Sequence, residues 1–173
     1  MKNKFAKCIP VSFAAVALLI TVAIQPSIHA QVKSESTESL DQSVGRIVGA
    51  WETSITPVNC ETGEQVGPTF YGVITYNAGG TLAEYGANPA TPFRTPGHGI
   101  WSANGGRGDY SMRFSFMPLT PAGVPVGRLR VSQVIQLNRF TDEFYSSGSF
   151  VLTNLAGTVV ASGCSTSTAV RLN

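Results

Sequence analysis

Tyr110-Ser111-Met112-Arg113-Phe114-Ser115-Phe116 alternates large apolar residues with small or charged ones at every position. An extended chain points successive side chains to opposite faces, so Tyr110, Met112, Phe114 and Phe116 share one face, and Ser111, Arg113 and Ser115 the other. The stretch reads as a half-buried β-strand over 110–119. It is entered through the turn Asn104-Gly105-Gly106-Arg107-Gly108-Asp109 and left through Pro121-Ala122-Gly123. The same period continues downstream. A strand over 127–138 presents Leu129, Val131, Gln133, Ile135 and Leu137 on one face. Another over 143–154 presents Phe144, Ser146, Gly148, Phe150 and Leu152.

Upstream, strands are predicted over 46–56, 68–77, 81–86 and 98–103, and a last one over 158–171. Prolines at 89, 92 and 96 make Asn88–Pro96 a loop, because they cannot join a ladder. No helical period persists over three turns. Eight sequential strands joined by short turns describe an antiparallel meander, and closing it on itself removes both exposed edges. The expected fold is all-β, a single eight-stranded up-and-down barrel. A two-sheet sandwich fits less well, since no connection has the length of a Greek-key crossover. Eight strands enclose an interior just wide enough for side chains or for one small ligand.

The chain has 173 residues, 12 Lys and Arg against 10 Asp and Glu, and its charged fraction is only 13%. With 9 Phe, 5 Tyr and 2 Trp it is expected to pack a core rather than remain disordered. Much of the positive charge is at the start: Lys2, Lys4 and Lys7 precede the uncharged run from Cys8 to Ile24. A basic start, an apolar stretch and a small residue before a polar segment predict a cleaved signal peptide over 1–30. The flanks do not resemble a retained anchor. Gln31–Val44 is Ser- and Glu-rich and reads as a flexible leader, with the barrel domain over 45–173. Beyond Ala30 remain Lys33 and eight arginines against ten acids, one negative charge in excess. No clustered basic footprint is left, so neither nucleic acid nor stable membrane insertion is expected. The expected location is secreted or periplasmic.

Cys60 and Cys164 are the cysteines beyond the predicted signal. In an exported chain such a pair is expected as a disulfide, and neither lies in a metal-type spacing. The bridge would close a loop of about 100 residues, a constraint of roughly 4–5 kcal/mol in the chain-entropy picture. It would also join the vicinity of the first and last strands, as closure requires.

The first strand contains Gly49-Ala50-Trp51 and the last ends Thr168-Ala169-Val170-Arg171. A Gly-x-Trp on the first strand of an eight-stranded meander, with an Arg on the last, resembles the lipocalin-like (calycin) barrels. That resemblance implies that Arg171 packs over Trp51 and that Gly49, Trp51 and Arg171 are structural. It also implies a binder of small molecules, without naming one. A guanidinium over an indole is independently favourable, by roughly 0.5–2 kcal/mol, and would plug one end.

Little else suggests chemistry. His98, the sole histidine past the signal, has no recognisable nucleophile or acid beside it, and is expected at a solvated edge. Glu61 and Glu64, and Asp142 with Glu143, read as solvated turn residues. In the third strand Tyr85 is expected inward and Glu84 outward. Were Glu84 inward, it would be the acid of an enzyme. Arg107-Gly108-Asp109 is an integrin-type triplet in a Gly-rich turn that forms such triplets by chance.

The inward set is apolar with sparse polar groups, as in a small-molecule site. The leading expectation is a carrier of a small hydrophobic molecule, with Tyr110, Met112, Phe114, Phe116, Gln133, Phe144, Ser146 and Phe150 as ligand-binding residues, and with no metal and no cofactor. Two alternatives stand beside it. One is an isomerase- or cyclase-like barrel enzyme on a hydrophobic substrate. The other is a filled barrel that binds a partner through the 88–96 loop.

Overall fold

A computed structural model describes residues 45–106, 108–138 and 140–173. The predicted signal peptide, the leader and Arg107 of the Arg-Gly-Asp triplet lie outside the described residues. Eight strands follow the chain: β1 (Gly49–Val58), β2 (Phe70–Tyr76), β3 (Thr81–Gly86), β4 (Gly97–Ala103), β5 (Asp109–Phe116), β6 (Gly127–Leu137), β7 (Glu143–Asn154) and β8 (Val159–Arg171). Each pairs antiparallel with its sequence neighbours, and β1 pairs with β8, so one sheet closes into the expected up-and-down barrel. Among the described residues no helix is long and apolar enough to cross a membrane.

Predicted and observed strands coincide for β3 and β7 and differ by a few residues elsewhere. The departure with a clear cause is at the start. Residues 45–47 are helical, so 46 and 47 are not extended as expected, and β1 begins at Gly49 with φ +134°. That backbone conformation is one L side chains rarely adopt. A Cβ there would also lie 2.5 Å from Arg171 Nη1. The glycine of Gly-x-Trp therefore has two physical reasons: a turn into the barrel and room for a guanidinium.

The barrel has two unlike ends. At the end where β1 starts, Trp51 is fully buried and pairs in register with Arg171. The Arg171 guanidinium carbon lies 4.2 Å from the centre of the indole ring. Arg171 Nη1 donates to the Val48 carbonyl at 2.9 Å, Nη2 to that of Arg46, and Nε to Asp142 Oδ1 at 3.0 Å. Trp51 Nε1 in turn donates to the carbonyl of Ile47, itself wholly buried. Phe144, Tyr76, Trp101 and Tyr110 continue the plug, with ring centres 5.0–6.1 Å apart at tilted or edge-on angles, the geometry aromatic pairs favour. The first and last strands of the described chain start and finish here, since Leu172 N donates to the Ala50 carbonyl at 2.9 Å.

Cys60 and Cys164 form the expected disulfide, with a Cα–Cα separation of 5.2 Å. Cys60 follows β1, and Cys164 is the register partner of Val58, so the bridge fastens the β1–β8 seam near the opposite end. Because the cross-link acts mainly on the unfolded chain, C60S/C164S should lose about 2–5 kcal/mol of stability while keeping its barrel. Urea unfolding of the variant, with far-ultraviolet circular dichroism of its native state, checks both halves of that statement.

Candidate functional site

Above the aromatic plug the interior is hollow. A cavity of about 460 Å³ extends toward the end bearing the 59–69 and 87–96 loops. Its size falls within the ~300–1,000 Å³ usual for small-molecule sites. Tyr76 and Phe144 form its floor, Phe114, Phe116, Leu129, Val131 and Phe150 much of its wall, and Pro68 and Asn88–Thr91 its rim. The lining is mainly apolar because the inward faces of β2, β5, β6 and β7 supply it.

Six of the eight residues expected to bind a ligand are brought together here: Met112, Phe114, Phe116, Gln133, Phe144 and Phe150. Tyr110 and Ser146 are not on the lining. Tyr110 faces inward but lies deeper, within the plug, its ring centre 5.9 Å from that of Trp101. Ser146 is also inward and fully buried, but one inward position nearer the plug than Gly148, beneath Gln133.

One wall carries a polar band. Gln133 on β6, Gly148 on β7 and Ser165 on β8 stand in one cross-strand row. With no side chain at Gly148, where a Cβ would come within 2.9 Å of Gln133 Cγ, the carboxamide passes over β7. Gln133 Nε2 then donates to Ser165 Oγ at 3.1 Å. Ser146 Oγ donates to Gln133 Oε1 at 3.0 Å, and Ser167 Oγ lies 2.5 Å from Ser146 Oγ. Gln133, Ser165 and Ser167 of this group line the cavity, and so does Thr53 on β1. Ser146 thus orients the polar anchor from beneath.

Toward the mouth is a buried ion pair that was only half foreseen. Glu84 was expected to face outward and Tyr85 inward; the structure reverses this. Tyr85 is 52% exposed, while the Glu84 side chain is only 10% exposed. The hairpin at Asn77–Gly80 sets the register, pairing Leu82 with Tyr76 and Glu84 with Ile74, so the inward face of β3 is Leu82, Glu84 and Gly86. The charge is tolerated because Arg94, from the proline-rich loop, meets it. Arg94 Nη1 donates to Glu84 Oε1 at 3.3 Å, Nη2 binds Oε2, and Nε donates to the Thr95 carbonyl at 3.2 Å. The guanidinium carbon lies 3.5 Å from the centre of the Phe116 ring.

Two glycines make room for this pair. A Cβ at Gly97 would lie 2.6 Å from Glu84 Oε2, and one at Gly86 would lie 2.9 Å from Oε1. Burial pushes the Glu84 carboxyl above its ordinary range, and Arg94 only partly offsets this through its hydrogen bond and charge. Burial likewise raises the Tyr76 phenol, which stays a neutral donor and points its hydroxyl at Met112 Sδ, 3.1 Å away.

Comparison with known proteins returns no matching family model, no similar curated protein and no similar solved structure. The geometry alone must carry the reading.

The remaining candidates lie at the surface, Asp142 in its ion pair with Arg171. His98 is exposed on β4, and Glu61, Glu64, Asp142 and Glu143 are exposed. Among the described residues no three His, Cys, Asp or Glu side chains cluster to hold a metal. Arg94 is the site residue that sequence reasoning missed. A usable signal was present in Gly86, the next inward position on β3, and Gly97, the cross-strand partner of Glu84 on β4, which leave an inward space for a partner.

Proposed function

We propose that this protein is an exported member of the lipocalin-like barrels and carries a small apolar molecule in its interior. The observation that carries the reading is a mainly apolar cavity of about 460 Å³ above an aromatic plug. Such a shape removes most of a ligand's surface from water, worth about 25 cal/mol for each Å² buried. The Trp51–Arg171 contact supports kinship with the calycins, and the disulfide fits an oxidising compartment. The cavity also weighs against a filled core acting only through its loops.

A second reading is favoured by the inward Glu84: an isomerase- or cyclase-like enzyme using that carboxyl as acid or base. Both of its oxygens are engaged by Arg94, which favours the carrier. Loss of turnover with retained binding in Glu84→Gln would support the enzyme instead.

Non-denaturing mass spectrometry of the protein purified from an oxidising compartment tests the carrier. The expected result is an added mass of a few hundred daltons that leaves on denaturation. A bare mass that persists after incubation with fatty acids and alcohols, retinoids and haem would count decisively against carriage of those classes.

A further inference from the structure

Glu84 and Arg94 are the only charged residues on the cavity wall among the described residues, and they neutralise each other. A carboxylate entering the barrel needs a cation to replace its lost hydration. The one available guanidinium already gives one N–H of each terminal nitrogen to Glu84, its Nε–H to the Thr95 carbonyl and a face to Phe116, and the Glu84 carboxylate offsets its charge. An incoming anion would have to sit beside the Glu84 carboxylate in a low-dielectric pocket, where like charges disfavour ionisation. Uncharged oxygen, by contrast, is well provided for. The Gln133 carboxamide has two N–H donors, and one is used, on Ser165. The Ser165 hydroxyl hydrogen and the Thr53 hydroxyl border the same wall.

We propose that the barrel selects uncharged apolar ligands bearing a hydroxyl or carbonyl group over the corresponding carboxylates, and that Glu84 determines this preference by occupying Arg94. The proposal rests on the carrier reading and specifies its ligand class. Glu84 acts here as a specificity residue: it withdraws a cation that would otherwise capture acids. The two glycines beside it belong to the same device, since a side chain at either 86 or 97 would crowd the carboxylate out of reach of Arg94.

The test is calorimetric titration of the whole protein at pH 8 with matched probes: dodecan-1-ol against dodecanoate, and retinol against retinoate. The alcohol should bind at least tenfold more tightly than its acid. In Glu84→Gln the ratio of alcohol to acid affinity should fall at least tenfold, and in E84Q/R94Q it should return toward the wild-type value. An acid that binds wild type as tightly as its alcohol overturns the proposal and leaves the carrier standing. An unchanged ratio in a folded Glu84→Gln overturns the role of Glu84. If no probe binds, the carrier reading falls for these classes and the proposal falls with it. Should Glu84→Gln fail to fold, the wild-type ratios still decide.

Discussion

Arg94→Met should destabilise the protein by about 3–5 kcal/mol at pH 8, the cost typical of stripping one partner from a buried ion pair. Methionine retains much of the volume over Phe116 but removes the only groups that hold Glu84 toward its charged form. The Glu84 carboxyl will therefore rise further above its unfolded value of about 4.3. Between those two values the folded state binds the extra proton, so its stability falls as pH rises through that interval and then levels off. The loss should accordingly be small near pH 4 and complete above the raised pKa. E84M/R94M, with both charges replaced by apolar groups, should recover most of the loss and lose the pH dependence. Urea unfolding of the three proteins from pH 4 to 9 measures this directly. A pH-independent loss in Arg94→Met would mean that packing, and not charge, is what Arg94 contributes.

Trp51→Ala should be comparably severe, at about 3–5 kcal/mol. Its indole is fully buried, touches Phe144 at a ring-centre distance of 5.0 Å, supports Arg171 and satisfies the Ile47 carbonyl. Removing it opens a hole beneath the cavity and leaves the Arg171 guanidinium without its aromatic face. Trp51→Phe keeps part of the packing and should cost less, leaving the loss of the Ile47 hydrogen bond as its main defect. Thermal unfolding of both variants should rank them in that order. Equal melting temperatures would show that the indole N–H carries the whole effect.

Alternation made the barrel legible. Every strand from β2 to β8 showed turn residues at its limits, and a one-residue slip would have turned the aromatic face outward. What alternation cannot encode is depth along the barrel axis. Tyr110 and Phe116 share a face, yet one is in the plug and the other at the level of Arg94. The same limit explains Ser146, which is inward but beneath Gln133. Glu84 failed for another reason. The rule that aromatic residues turn inward and charges outward has no view of a partner arriving from a loop, and Arg94 belongs to a segment without any period. Gly49 was legible as part of a motif but not as physics, since its positive φ and its contact with Arg171 join residues more than a hundred positions apart.

The start of β1 and the end of β8 both lie at the Trp51–Arg171 plug, while the cavity opens at the other pole. The described barrel is therefore polar in the sense that a cup is. A tag or support joined after Asn173 starts from its base. The 59–69 and 87–96 loops lie at the opposite pole, so their exposed positions, other than Cys60 and Arg94, can be varied to retune entry without touching the seal.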